Sequence, residues 1–174
     1  MLLVDLLTAG EQQRRRSPER DLPLIARRLD EVTRWALAES EIPAPPIGYL
    51  GASTGAAAAL RAAVAVGDAV GSVVSLGGRP ELASDDLAEV AAPTLLLAGS
   101  RDPEALGWAR EAAKLMRGPH ELTVVDGAGR LFAEPGTLET AARLSAEWCT
   151  DHLAANVAPL GAGVRRTTAA ANFG

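Results

Sequence analysis

The chain has 174 residues, a length that suits one domain, and 48% of them are hydrophobic, which is enough for a substantial core. Its formal net charge of −5 argues against nucleic acid or an anionic membrane as a partner. One cysteine excludes an intrachain disulfide, and the sequence offers no Cys/His cluster for a metal and no apolar run of about 18 residues for a membrane span. With no basic leader after Met1, we expect a cytoplasmic protein that needs no cofactor.

Apolar runs and helical repeats alternate along the chain. Strands are predicted at residues 2–7, 46–50, 70–76, 93–99 and 121–125, and helices at about 22–39 (with Asp21 as its cap), 56–66, 104–117 and 137–153. Short apolar runs without clean alternation favour a parallel sheet that is covered on both faces. The prediction is therefore an α/β fold, a three-layer α/β/α arrangement with a mostly parallel sheet. Residues 1–154 form its single domain, and 155–174 read as a flexible C-terminal tail.

A Gly-x-Ser-x-Gly sequence, from Gly51 to Gly55, lies between the second predicted strand and a run of alanines. This is the context of a nucleophile elbow, a strained turn that pushes a serine hydroxyl out above the end of a sheet. Small residues beside the turn let strand and helix approach closely. We interpret Ser53 as a nucleophile. The alternative is a glycine-rich strand-to-helix turn with a buried serine.

Asp102 follows the strand predicted at 93–99, so it should lie at the same edge of the sheet as Ser53. The chain order of serine and then aspartate is the one expected of an α/β-hydrolase triad. Asp102 precedes a proline and a predicted helix, so it also suits a helix N-cap. The two roles can coexist in one side chain.

The segment after the last predicted strand reads Gly-Ala-Gly-Arg-Leu-Phe at 127–132 and Glu-Pro-Gly at 134–136. Here the chain resembles the dienelactone-hydrolase-like branch of the α/β-hydrolases, whose members carry a Gly-Ala-x-His-Leu-Phe type loop. The resemblance runs from about residue 2 to residue 153. It implies a serine hydrolase that acts on a small ester, lactone or thioester. Ser53 would attack, Asp102 would orient the base, and the backbone N–H of Thr54 would stabilise the oxyanion.

Arg130 stands where that family has its histidine. A guanidinium stays protonated in proteins, so it cannot accept the serine proton. His120 precedes the last strand and should lie at the opposite edge of the sheet, and His152 lies near the end of the last helix, so neither suits the base. We expect Arg130 to face Ser53 and to pair with Asp102. The alternative function is a catalytically inactive α/β-hydrolase-like binding or interaction module.

The N-terminus is the second place where the chain departs from the family. The strand predicted at 2–7 resembles the one that follows the oxyanion-loop strand and its helix, so the segment with the first strands and one oxyanion donor has no counterpart. In the family's sheet the missing piece is an interior strand, which would leave unpaired backbone groups on both flanking strands. An oligomer or a partner chain would cover such edges.

Arg79, in the Gly-Gly-Arg-Pro sequence 77–80, follows a predicted strand and should lie near the active edge. It could hold a substrate carboxylate by a bidentate contact. More often such an arginine packs its stem and points its head to solvent. A small-molecule ester or lactone is the ligand that the resemblance implies if the chain is active.

Overall fold

The computed structural model describes residues 1–13, 17–42 and 45–155. Four parallel strands form one sheet in the order β1, β2, β3, β4. Their bounds are β1 Ile47–Ala52, β2 Val70–Leu76, β3 Thr94–Gly99 and β4 His120–Val125. The predicted α/β class and the parallel sheet are confirmed.

Helices cover both faces of this sheet. In the described part of the chain they are α1 Ala9–Gln13, α2 Pro18–Ala38, α3 Thr54–Val66, α4 Pro103–Leu115 and α5 Thr137–Ala155. One core joins α2, α3 and α4 to the first face, and a second core joins α5 to the other face. The three-layer arrangement follows from these two cores. Among the residues that the structure describes, no helix is both long and apolar enough to cross a lipid bilayer.

The alanine-rich helix α3 lies between the sheet and α2. Its side chains from Ala56 to Leu60 are buried, because small residues let the backbone of a helix pack closely on its neighbours. Arg61 follows this buried run, and its half-buried guanidinium pairs with Asp86 at 2.7 Å. This packing fixes the position of the turn between β1 and α3.

Two details of the predicted N-terminal half are wrong. Residues 2–7 are not a strand, because a strand needs a hydrogen-bonded neighbour and, within the described residues, β1 pairs only with β2. Asp21 is not a helix cap, because α2 begins earlier, at Pro18, a residue whose fixed φ and missing N–H suit a first turn. The predicted tail, apart from Ala155 in α5, lies outside the described residues.

Candidate active site

Ser53 occupies a strained turn between β1 and α3. Its φ of 51° and ψ of −129° place a non-glycine residue in the left-handed half of backbone space, at a cost of about 1–3 kcal/mol. A Cβ on Gly51 would collide with the carbonyl oxygen of Gly55, so the turn requires glycine there. The Ser53 side chain is exposed, whereas the next residue, Thr54, is buried at the start of α3.

The turn after β2 connects this elbow to the loop that follows β4. The N–H of Arg79 donates to the carbonyl oxygen of Ser53 at 3.1 Å. Gly77 has a φ of 50°, and a Cβ on it would lie 2.8 Å from the carbonyl oxygen of Arg130. The ends of three parallel strands therefore bring Ser53, Arg79 and Arg130 to one edge of the sheet.

Asp102 lies at the same edge, directly after β3, and its side chain is 9% exposed. One carboxylate oxygen accepts the N–H of Ala105 at 3.0 Å and caps α4. The other accepts from Nε of Arg130 at 3.2 Å. Asp102 is thus both a helix cap and the partner of Arg130, and each of its carboxylate oxygens accepts a hydrogen bond.

Arg130 has further partners around its guanidinium. Its Nη2 donates to Glu104 at 3.0 Å, and its guanidinium carbon lies 5.3 Å from the centre of the Trp108 ring. The same ring has the guanidinium of Arg79 at 4.6 Å, and Arg79 pairs with Glu81 at 2.8 Å. Cation–π contacts of this kind contribute about 0.5–1 kcal/mol at exposed sites.

The loop that carries Arg130 is fixed by its own contacts. Glu134 accepts the N–H of Gly129 at 3.0 Å, and this hydrogen bond lowers the pKa of the Glu134 carboxyl. Phe132 is buried with a φ of 51°, and a Cβ on Gly99 would collide with the carbonyl oxygen of Ala128. The loop therefore holds the backbone of residue 130 against the edge of the sheet.

Both histidines bond elsewhere. Nδ1 of His120 lies 2.9 Å from the carbonyl oxygen of Gly118, at the beginning of β4 and so at the opposite edge. Nδ1 of His152 lies 2.9 Å from the carbonyl oxygen of Trp148, within α5. Over the described ranges, no side chain hydrogen-bonds to the hydroxyl of Ser53, and no group of three His, Cys, Asp or Glu residues could hold a metal ion.

Sequence reasoning missed Glu104 and Trp108 as partners of Arg130. Their spacing was a usable signal, because residues four apart lie on the same face of a helix and Asp102 precedes both at its N-terminus. The position of Arg130 over that face depends on the loop after β4, which periodicity does not predict.

The chain was compared with known proteins by sequence. No protein-family model matches it. A curated relative from Mycobacterium tuberculosis, named "Putative phosphoribosyl transferase", is 49% identical over 152 residues. That stretch is 87% of this chain and 34% of the relative, so the chain spans about a third of the length of the curated relatives it matches.

Solved structures also resemble this chain. A dienelactone hydrolase from Anabaena variabilis superposes with a TM-score of 0.76 at 37% identity, over 85% of this chain and 70% of that one. An α-β serine hydrolase homologue from Coxiella burnetii has a TM-score of 0.61 at 20% identity, over 73% of this chain and 60% of that one. Est1E from Butyrivibrio proteoclasticus has a TM-score of 0.66 at 14% identity, over 76% and 71%. The last two show a shared fold.

Proposed function

Because this chain belongs to the dienelactone-hydrolase-like branch of the α/β-hydrolases, we propose that it is a serine hydrolase for a small ester, lactone or thioester whose turnover is impaired. The observation that carries this proposal is the backbone of Ser53. A φ of 51° on an exposed serine between a parallel strand and a helix costs free energy, and a structural turn with glycine at that position would avoid the cost.

In the proposed reaction, the Ser53 oxygen attacks the carbonyl carbon of the substrate. The backbone N–H of Thr54, at the first position of α3, donates to the oxyanion that forms, and the positive end of the helix supports the same charge. Asp102 occupies the place of the acid that orients a base. A base must still take the serine proton and return it to the leaving group.

Arg130 is why we propose impaired turnover. Its Nε contacts the carboxylate oxygen of Asp102 that a histidine would otherwise use, and a guanidinium does not accept protons. Loss of one triad member typically leaves only ~10³–10⁴-fold catalysis over water, supplied by binding and the oxyanion hole. We therefore expect slow acylation of Ser53 rather than none.

A second candidate function is an inactive α/β-hydrolase-like binding module. The cluster of Arg130 with Asp102, Glu104 and Trp108 favours it, because several contacts fix a side chain that cannot serve as the base. In that case the site would hold a small ester, lactone or related ligand without turning it over. Binding without release of product distinguishes the two candidates.

The name of the curated relatives describes a different chemistry. We propose that phosphoribosyl transfer, if those proteins perform it, belongs to the two thirds of their length that this chain does not match. The support is that the matched residues superpose on a dienelactone hydrolase over 85% of this chain.

A fluorophosphonate probe tests the proposed function, because it reacts with serines in proportion to their activation. The unmodified chain should label slowly, and Ser53→Ala should not label. Arg130→His should label about tenfold faster or more, short of the ~10²–10⁴-fold that a complete general base supplies. We expect partial recovery because the variant supplies a base and adds no oxyanion donor, each of which is worth on the order of 10²–10³.

Arg110→His, at an exposed position of α4, is the matched control, because it adds a histidine away from Asp102. It should label at the rate of the unmodified chain. Labelling that persists in Ser53→Ala would refute the assignment of the nucleophile. Fast labelling of the unmodified chain, lost in Ser53→Ala, would refute the impairment.

A further inference from the structure

Two guanidinium groups lie at the active edge, and carboxylates of this chain pair with both. Nε of Arg79 donates to Glu81 at 2.8 Å, and the two side chains are 26% and 23% exposed. Nε of Arg130 donates to Asp102 at 3.2 Å, and its Nη2 donates to Glu104 at 3.0 Å. A substrate carboxylate at either arginine would therefore have to displace or share a carboxylate that is already there.

These side chains and the indole beside them form one group with more negative than positive charge. We call it the edge cluster; its members are Arg79, Glu81, Asp102, Glu104, Trp108 and Arg130. Its three carboxylates and two guanidiniums give it a formal net charge of −1. Both guanidiniums also contact the Trp108 ring, at 4.6 and 5.3 Å from its centre. Oε2 of Glu81 is buried and accepts no hydrogen bond within the described residues, so its negative charge is only partly offset.

The loops next to the edge cluster add further negative charge. Asp126 accepts a hydrogen bond from Ser100 at 3.1 Å, and Glu134 accepts the N–H of Gly129 at 3.0 Å. Arg101, on the turn after β3, adds one positive charge to these two negative ones. The balance at this edge thus has the same sign as the formal net charge of the chain, −5.

We propose that the active edge accepts an uncharged ester or lactone and rejects one that carries a carboxylate, with Glu81 and Glu104 as the specificity-determining residues. This inference rests on the proposed function, because it concerns the ligand of the same site. A carboxylate near the edge cluster meets a net negative charge at a partly buried surface, where charges interact more strongly than in bulk water. Leu131, directly after Arg130 and 81% exposed, offers apolar surface on the same loop to an uncharged ligand.

Titration of the full chain with two esters of the same size and shape tests the selectivity. Ethyl 5-oxohexanoate is uncharged, and monoethyl glutarate has a carboxylate in place of its acetyl group. The readout is the nuclear magnetic resonance signal of the Trp108 indole N–H, assigned with Trp108→Phe. At low ionic strength the uncharged ester should bind about tenfold more tightly. The preference should shrink in 1 M salt, where the Debye length is about 3 Å.

Glu104→Gln removes one carboxylate from the edge cluster and should reduce this preference by about threefold or more. Glu81→Gln should change it in the same direction. Glu111→Gln is the matched control, because it makes the same change in net charge at an exposed position about two turns further along α4. It should leave the preference unchanged.

Three results would overturn the proposal. They are binding of monoethyl glutarate as tightly as the uncharged ester, equal effects of Glu104→Gln and Glu111→Gln, and failure of both esters to shift the Trp108 signal. The titration does not require Ser53 to react. Labelling by fluorophosphonate that persists in Ser53→Ala therefore refutes only the hydrolase, whereas Ser53-dependent labelling of a chain that prefers monoethyl glutarate refutes only the selectivity.

Discussion

Ser53 adopts a backbone conformation that costs free energy. Arg130, whose side chain pairs with Asp102, cannot accept the proton of the Ser53 hydroxyl. The φ of 51° positions a hydroxyl at the edge of the sheet, and the guanidinium of Arg130 bonds to Asp102 and Glu104. The turn at Ser53 therefore has the strained geometry that the proposed function requires, while the side chain at the proposed base position is a guanidinium, which cannot act as a base.

The strain at Ser53 has a measurable consequence for stability. Ser53→Gly should stabilise the chain by about 1 kcal/mol, because relief of about 1–3 kcal/mol of backbone strain exceeds the entropic cost of glycine, about 0.5–1 kcal/mol. Ser53→Ala keeps the Cβ and should leave stability nearly unchanged. Urea denaturation of both variants measures the difference. A Ser53→Gly chain no more stable than Ser53→Ala would show that the turn is not strained.

At the scale of single elements, the two glycines of the elbow motif differ in whether the turn has room for a side chain. A Cβ on Gly51 would collide with the backbone of Gly55, whereas a Cβ on Gly55 meets nothing within 4 Å. Gly51→Ala should therefore destabilise the chain by about 1–3 kcal/mol through overpacking. Gly55→Ala, in the first turn of α3, should change stability by no more than about 1 kcal/mol, in the stabilising direction. Equal effects on the denaturation midpoint would contradict this account of the turn.

The short helix α1 depends on an ionised Glu11. Hydrogen bonds from Arg28 and then from Thr8 lower the pKa of Glu11 from 4.5 to about 2. Because the folded pKa is below the unfolded one, this contribution is present above about pH 4.5 and is lost as the pH falls toward 2. The protection factors of the Thr8 and Glu11 amides, which are exchange rates corrected for the intrinsic pH dependence of exchange, should fall as the pH drops through that window in the unmodified chain.

Glu11→Gln removes the titrating group, so the protection factors of those amides should be lowered already at neutral pH and should no longer change in that window. Glu139→Gln, at an exposed position in the first turn of α5, is the control and should retain the pH response. A response that survives in Glu11→Gln would assign it to another group.

Four of the five predicted strands are present, because each is a short run with a parallel neighbour in the sheet, and β2 and β3 are buried along almost their whole length. Residues 2–7 have the same composition and no neighbouring strand, and composition alone cannot supply one. Similarly, α1 was not predicted: Thr8 and Glu11 cap it reciprocally, which is a local signal, whereas the contact of Glu11 with Arg28, 17 residues away, is not visible in the local pattern.

At the scale of the whole molecule, the site was predictable where it follows from topology. Parallel strands place Ser53, Asp102 and the loop of Arg130 at one edge, and the sequence order of these residues was enough to expect it. The aromatic and acidic surroundings of Arg130 were not predictable, because they come from the packing of a loop on α4. The resemblance predicted two strands with an open edge, one on each side of a missing interior strand. β1 is one of them, whereas the other, predicted at residues 2–7, is not a strand in the described residues.

The central claim is that this chain retains a hydrolase elbow without a working base. Steady-state hydrolysis of 4-nitrophenyl acetate, measured at neutral pH for the unmodified chain and for Ser53→Ala, tests it most directly. The account predicts slow hydrolysis by both, with kcat/KM values that differ by less than about tenfold, because the hydroxyl of Ser53 is not activated. Rapid turnover by the unmodified chain that Ser53→Ala abolishes would contradict it.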